Sequence, residues 1–172
     1  VKRFVLTGTP GAGKTTILGG LAGLGYTVVA EAATDVIAAS RRRGEKLDGP
    51  DLIDEIVACQ RERQAGAAGS VQFFDRSPVC TYALSVYAGR PPSAALEAEL
   101  DRIQREEVYE RRVFFVRTLG HVERTAVRRI TLPEALRFER IHQEVYEALG
   151  YELAEIPPGP VAGRLALITS QV

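Results

Sequence analysis

The stretch "RFVLTGTPGAGKTT", residues 3–16, decides the fold. An apolar run, "RFVLT", ends abruptly in a segment that holds three glycines, a proline and a lysine within nine residues. The run suits a buried parallel strand, and the "TTILGGLAGLG" that follows has helical spacing and stops at Gly25. Gly8, Gly13, Lys14 and Thr15 satisfy the pattern G-x-x-x-x-G-K-[ST] in full. Glycines let the backbone turn sharply and bring its N–H groups against phosphate oxygens. The helix starting near Lys14 turns its positive dipole end toward the same oxygens. Lys14 adds a point charge for the outer phosphates, and Thr15 a hydroxyl for Mg²⁺. Only three of the 22 basic residues are lysines, and one stands here. A dinucleotide fingerprint is excluded, because Gly8, Gly11 and Gly13 lack G-x-G-x-x-G spacing. The stretch reads as a nucleoside triphosphate site, with contacts expected from Gly8, Pro10, Gly11, Ala12, Gly13, Lys14, Thr15 and Thr16.

Outward from this stretch the pattern repeats. "YTVVA" (26–30), "SVQFFD" (70–75), "RVFFVR" (112–117) and "YELAEIP" (151–157) read as four more short strands. Helices are expected between them: over "EAATDVIAASRRRG", from Pro50 with Asp51 as cap, from about Val79 to Ala88, and from Ser93. Thr131 and Glu134 form a capping-box signature with Pro133 in the first turn, and "PVAGRLALI" closes the chain as a short helix. Five strands alternating with helices predict an α/β fold, a parallel sheet covered on both faces. With 172 residues and no linker or repeat, one domain is expected.

Composition narrows the function. The chain is 45% hydrophobic and 26% charged, with a formal net charge of zero, so nothing in the total charge favours nucleic acid or an anionic membrane. No membrane span and no leader segment is apparent, which makes the cytoplasm the default expectation. Cys59 and Cys80 have no metal-type spacing and read as buried thiols. His121 and His142 lack partners at readable spacing and receive no chemical role.

Ligands of such sheets bind beyond the carboxyl ends of the strands. Asp75 ends the third strand, where a carboxylate suits Mg²⁺ directly or through water, and Arg76 suits a phosphate or an anionic substrate group. The alternative is a helix cap with a surface partner. Glu31 closes the second strand as a candidate base, or as a carboxylate favoured by the helix dipole. Residues 117–131 read as a lid in which Arg124 meets nucleotide and Arg128 or Arg129 meets the charge developing in transfer; a solvated basic loop is the alternative. "IPPGPV" (156–161) is a base-packing turn or simply a stiff one. Tyr82 is a candidate pocket residue, whereas Tyr87 suits the core.

Together, "RFVLTGTPGAGKTT", "YTVVAEAATDVI", "FFDRSPVCTYA", "VRRITLPEALRFERIHQEVYEALGYELAEIP" and "GPVAGRLALI" resemble the small P-loop AAA-domain ATPases. That family is similar to the nicotinamide riboside kinase domain of the bacterial NAD regulator and to an animal GTP- and lipid-binding protein. Glu31 and "DRS" (75–77) also resemble the corresponding segments of deoxynucleoside kinases, although no proline follows Glu31. The resemblance implies a three-layer P-loop fold with sheet order 2-3-1-4-5 and a helical lid. By the deoxynucleoside-kinase likeness Glu31 would be the base, Asp75 the magnesium-side acid and Arg76 a substrate or phosphate contact. Motif, position and likeness together lead us to expect ATP and Mg²⁺ as cofactors, Lys14, Glu31, Asp75, Arg128 and Arg129 as catalytic residues, and Thr15 and Asp75 at the metal. Glu31, Arg76 and Tyr82 would meet the substrate. The expected function is a kinase of a nucleoside-like or other small hydroxyl metabolite, acting as a monomer or homodimer. The alternative is a nucleotide-hydrolysing switch that acts on a protein or lipid partner.

Overall fold

Apolar residues on the strands set both faces of the sheet, because successive side chains point to opposite sides. A computed structural model describes residues 1–9, 11–45, 49–117 and 131–172. Its strands are β1 (Lys2–Thr7), β2 (Thr27–Val29), β3 (Val71–Asp75), β4 (Arg112–Val116) and β5 (Glu152–Ile156). The helices are α1 (Lys14–Gly23), α2 (Ala32–Arg43), α3 (Gly49–Gly66), α4 (Pro78–Tyr87), α5 (Ala94–Arg105), α6 (Leu132–Ala148) and α7 (Val161–Thr169). Phe4, Leu6, Phe73, Phe114 and Ile156 share one core cluster with Ile17, Leu18 and Leu21 of α1 and Ile168 of α7. Val5, Phe74 and Val113 belong to the other, with residues of α3, α4, α5 and α6. Helices therefore cover both faces, as doubly buried parallel strands require.

The strands run parallel in the order β2-β3-β1-β4-β5, as the resemblance implied. The chain leaves β1 toward one edge of the sheet, to β2, and leaves β3 toward the other, to β4. The crevice between such opposed connections is where open α/β sheets bind ligands. Register places Asp75 beside Leu6, so the end of β3 lies next to the start of the glycine-rich loop.

Local signals explain most element ends. Thr131 and Glu134 form the complete capping box at the start of α6. Ser93 caps α5, its hydroxyl accepting from Leu96 N–H at 3.2 Å. Gly44 ends α2 in the left-handed conformation. One expectation needs correction: α3 begins at Gly49, so Asp51 lies in the first turn instead of capping it. There it faces the positive helix end, and Asp54 instead accepts from the Ser93 hydroxyl.

Candidate active site

The glycine-rich loop is shaped by contacts from outside it. Gly8 has φ 134°, and a Cβ there would fall 2.2 Å from the Val116 carbonyl oxygen of β4. No side chain fits that approach. Gly11 (φ 86°) and Gly13 (φ 87°) are also left-handed, and Gly13 is the residue before α1. Among the described residues no side chain caps α1, and its first turn carries no acid. Its positive end is thus left for an external anion.

Lys14 curls back across the loop, and its Nζ donates to the Gly8 and Thr9 carbonyls at 3.0 Å each. Two of the three ammonium donors are committed, which leaves one for a ligand. Burial pushes the Lys14 ammonium down to about 7; Arg76 adds to the fall, and Asp75 and Glu31 oppose it. Ala12 is buried, while Thr15 and Thr16 face solvent in the first turn of α1. Pro10 lies outside the described residues.

The predicted acidic–basic group assembles beside Lys14. Burial raises Asp75 above the ordinary carboxylate range, against the pull of Lys14 and Arg76. Its Oδ1 is buried with no hydrogen-bond partner among the described residues. Arg76 is left-handed at φ 71°, a costly conformation for a residue with a side chain. Its Nε lies 2.6 Å from Glu31 Oε1, an ion pair whose angle falls outside a hydrogen bond. The other Glu31 oxygen accepts from the Thr34 hydroxyl at 2.8 Å. The structure thus brings Lys14, Asp75, Arg76 and Glu31 into one group.

The remaining predicted residues have contacts of their own. Tyr82 is half-buried against the main core cluster, and Tyr87 packs edge-on against Phe138 with Arg137 over its ring. Arg117, the first lid residue, is held structurally: it pairs with Glu139 and Glu155 and stacks 4.8 Å from the Phe115 ring centre. Arg124, Arg128, Arg129 and His121 lie outside the described residues, as does the rest of the lid up to residue 130.

Sequence reasoning missed five neighbours of the group: Arg63, Gln60, Tyr109, His142 and Arg164. Arg63 of α3 donates to the Ala30 and Glu31 carbonyls at 2.8 and 2.9 Å and to Asp35 at 2.6 Å, fixing the end of β2. Gln60, Arg63, Tyr109, Asp75 and Arg76 line a narrow cleft of about 10 Å³ beside the charged group. His142 is fully buried, and burial together with Arg76 pushes its imidazole down to about 3. It is therefore neutral at pH 7, with Nδ1 2.9 Å from the Phe138 carbonyl. Arg164 of α7 reaches the loop itself, donating from Nη2 to the Ala12 carbonyl at 2.9 Å. One signal for it was visible: it is the only charged residue in "VAGRLALIT".

A parallel sheet of this order, with a glycine-rich loop between β1 and α1 and an Asp–Arg pair at the end of β3, defines a P-loop protein of the nucleotide-kinase type of fold. The chain belongs to an AAA-domain family, whose sequence model matches residues 3–164. Among solved structures it is similar to thymidylate kinase from Ehrlichia chaffeensis, with a TM-score of 0.69 and 14% identity over 98% of this chain and 97% of that one. It is also similar to deoxyadenosine kinase from M. mycoides with bound dATP, with a TM-score of 0.58 and 13% identity over 99% and 98% of the two chains. A search of curated proteins found no match.

Proposed function

We propose that the protein is an ATP- and Mg²⁺-dependent kinase that phosphorylates a hydroxyl of a small, nucleoside-like metabolite. One observation carries the reading. Lys14, the Asp75 oxygen that has no hydrogen-bond partner among the described residues, and the Arg76–Glu31 pair lie together beside the loop and the α1 N-terminus, and Asp75 and Arg76 also line the narrow cleft. The two similar kinases, one with bound dATP, support a nucleoside-like acceptor.

In this reading the loop amides and Lys14 bind the polyphosphate. Phosphoryl transfer asks a protein chiefly for positioning and charge stabilisation. The residues present fit Mg²⁺. Among the described residues no cluster of three or more metal-ligating side chains exists. Mg²⁺ suits such a site, because it is usually held by one or two protein groups together with substrate phosphates. The Thr15 hydroxyl and Asp75, whose Oδ1 has no hydrogen-bond partner among the described residues, would be those groups, and the ion would supply neutralisation of the phosphate charge. Glu31, fixed by Thr34 and Arg76, has lone pairs left to receive the acceptor's proton. Arg76 screens the phosphates from that carboxylate. Arg128 and Arg129 are proposed to act at the transferring group, with Arg124 on the nucleotide.

The narrowness of the cleft favours one competing reading, a nucleotide-driven switch for a protein or lipid partner. Acceptor dependence separates the two. A panel of nucleosides, ribosides, amino alcohols and sugars is screened for ADP release above the hydrolysis background, with Lys14→Ala as control. The kinase reading expects at least one acceptor to stimulate release and to appear as its phosphate ester. Uniform, acceptor-independent hydrolysis would count for the switch.

A further inference from the structure

Arg164 presents an electrostatic problem that the described residues do not resolve. It is 5% exposed, its Nε is buried without a hydrogen-bond partner among those residues, and its Nη2 bond to the Ala12 carbonyl is to a neutral group. Burial alone pulls the guanidinium below its ordinary value; no carboxylate among the described residues supports it. A buried cation without a counter-ion is costly, so its retention calls for an anion from elsewhere.

Two glycines bring it there. A Cβ on Gly13 would lie 2.9 Å from Arg164 Nη1, and a Cβ on Gly20 would lie 2.5 Å from Leu165 Cδ1. Positions 13 and 20 are two helical turns apart and share a face. That bare face lets α7 settle on α1 and carries its single cation to the loop. The contact has a geometric consequence. The Ala12–Gly13 peptide is planar and trans, so its C=O and N–H point in opposite directions. Anchoring the Ala12 carbonyl toward α7 aims the Gly13 N–H away from α7.

We propose that Arg164 is a positioning residue for phosphate binding: it holds the Ala12–Gly13 peptide so that the Gly13 N–H faces the bound phosphates, whose charge offsets the guanidinium. The inference rests on the phosphate reading of the loop. Its ligand class is any polyphosphate, with or without a base attached.

The test titrates ATP, tripolyphosphate and adenosine calorimetrically into the wild type, Arg164→Met, Arg164→Lys and Lys14→Ala. Arg164→Met keeps an apolar stem and removes both the charge and the donors. It is expected to weaken ATP and tripolyphosphate about tenfold to a hundredfold, the range for losing a charged hydrogen bond, while adenosine binds as before. Its ligand-free melting temperature should hold or rise, because a buried unpaired charge is gone. Arg164→Lys should recover part of the affinity. A merely structural role predicts the reverse: a lowered ligand-free melting temperature with equal losses for all three ligands. Unchanged ATP affinity in Arg164→Met, with Lys14→Ala impaired, overturns this inference alone. A wild type that binds neither ATP nor tripolyphosphate overturns the phosphate reading as well. Should Arg164→Met fail to fold, the same comparison is made with Arg164→Gln.

Discussion

Two arginines flank the glycine-rich loop, and they are neutralised in opposite ways. At the corner between β3 and α4, Arg76 lies 2.6 Å from Glu31 and within the electrostatic reach of Asp75. On the α7 side, Arg164 has, among the described residues, only a backbone carbonyl. The first corner is electrically complete within the chain, as suits a place where a neutral hydroxyl must be positioned and deprotonated. The second is incomplete, as suits a place that an anion fills. The two corners thus differ in charge: one is balanced within the chain and the other, among the described residues, is not.

The sharpest way to break that contrast lies on the acceptor side. Glu31→Gln keeps the shape and the Thr34 contact but removes the carboxylate, and turnover with acceptor should fall roughly 10²–10⁴-fold while ATP binds as before. Steady-state kinetics beside calorimetry reads both, and equal turnover would leave Glu31 a structural partner of Arg76. On the phosphate side, Lys14→Ala should cost about tenfold to a hundredfold in ATP affinity. An unaltered isotherm there would remove the loop from the site.

Gly20→Ala probes the support instead of the site. The added methyl meets Leu165, a flexible side chain, so overpacking of about 1–3 kcal/mol competes with the roughly 1 kcal/mol that alanine contributes to a helix. Denaturant unfolding should show a net loss of at most about 2 kcal/mol by those same figures, accompanied by a smaller fall in ATP affinity than Arg164→Met gives.

The smallest effect is a proton. Lys14 sits at about 7 in the structure and an adjacent polyphosphate favours the ammonium, so ATP binding at pH 8 should take up a fraction of a proton. The dependence of the binding enthalpy on buffer ionisation measures it, and zero uptake would mean that Lys14 does not meet the charge. The same depression has a sign for stability. Between about 7 and the unfolded value of 10.5 the unfolded chain holds more protons at Lys14, so its contribution to stability rises with pH across that window.

What was legible in the sequence follows from the range of each interaction. The loop, the α6 capping box and the residues closing β2 and β3 are local patterns, and all lie where their spacing implied. The β2-β3-β1-β4-β5 order came from the family resemblance, since spacing alone does not rank strands. Arg164 was overlooked because its partner is 152 positions away. His142 was invisible for a related reason: its neutrality depends on burial and on Arg76, neither of which is written near it. Tyr82 and Arg117 had the right chemistry for a pocket and a lid. Core contact and paired carboxylates, however, engage them first.

The approach of Gly8 to the Val116 carbonyl carries a lesson for transplanting the motif. A carbonyl of a different strand stands where a Cβ at position 8 would go, so β4 makes glycine obligatory there. Residues 8–16 grafted onto a sheet whose neighbouring strand stops one residue short, or bulges there, would keep every letter of the pattern and lose the contact that makes its first glycine obligatory. The unit that engineers would have to move is the pair β1 and β4 in register, together with the helix that follows the first.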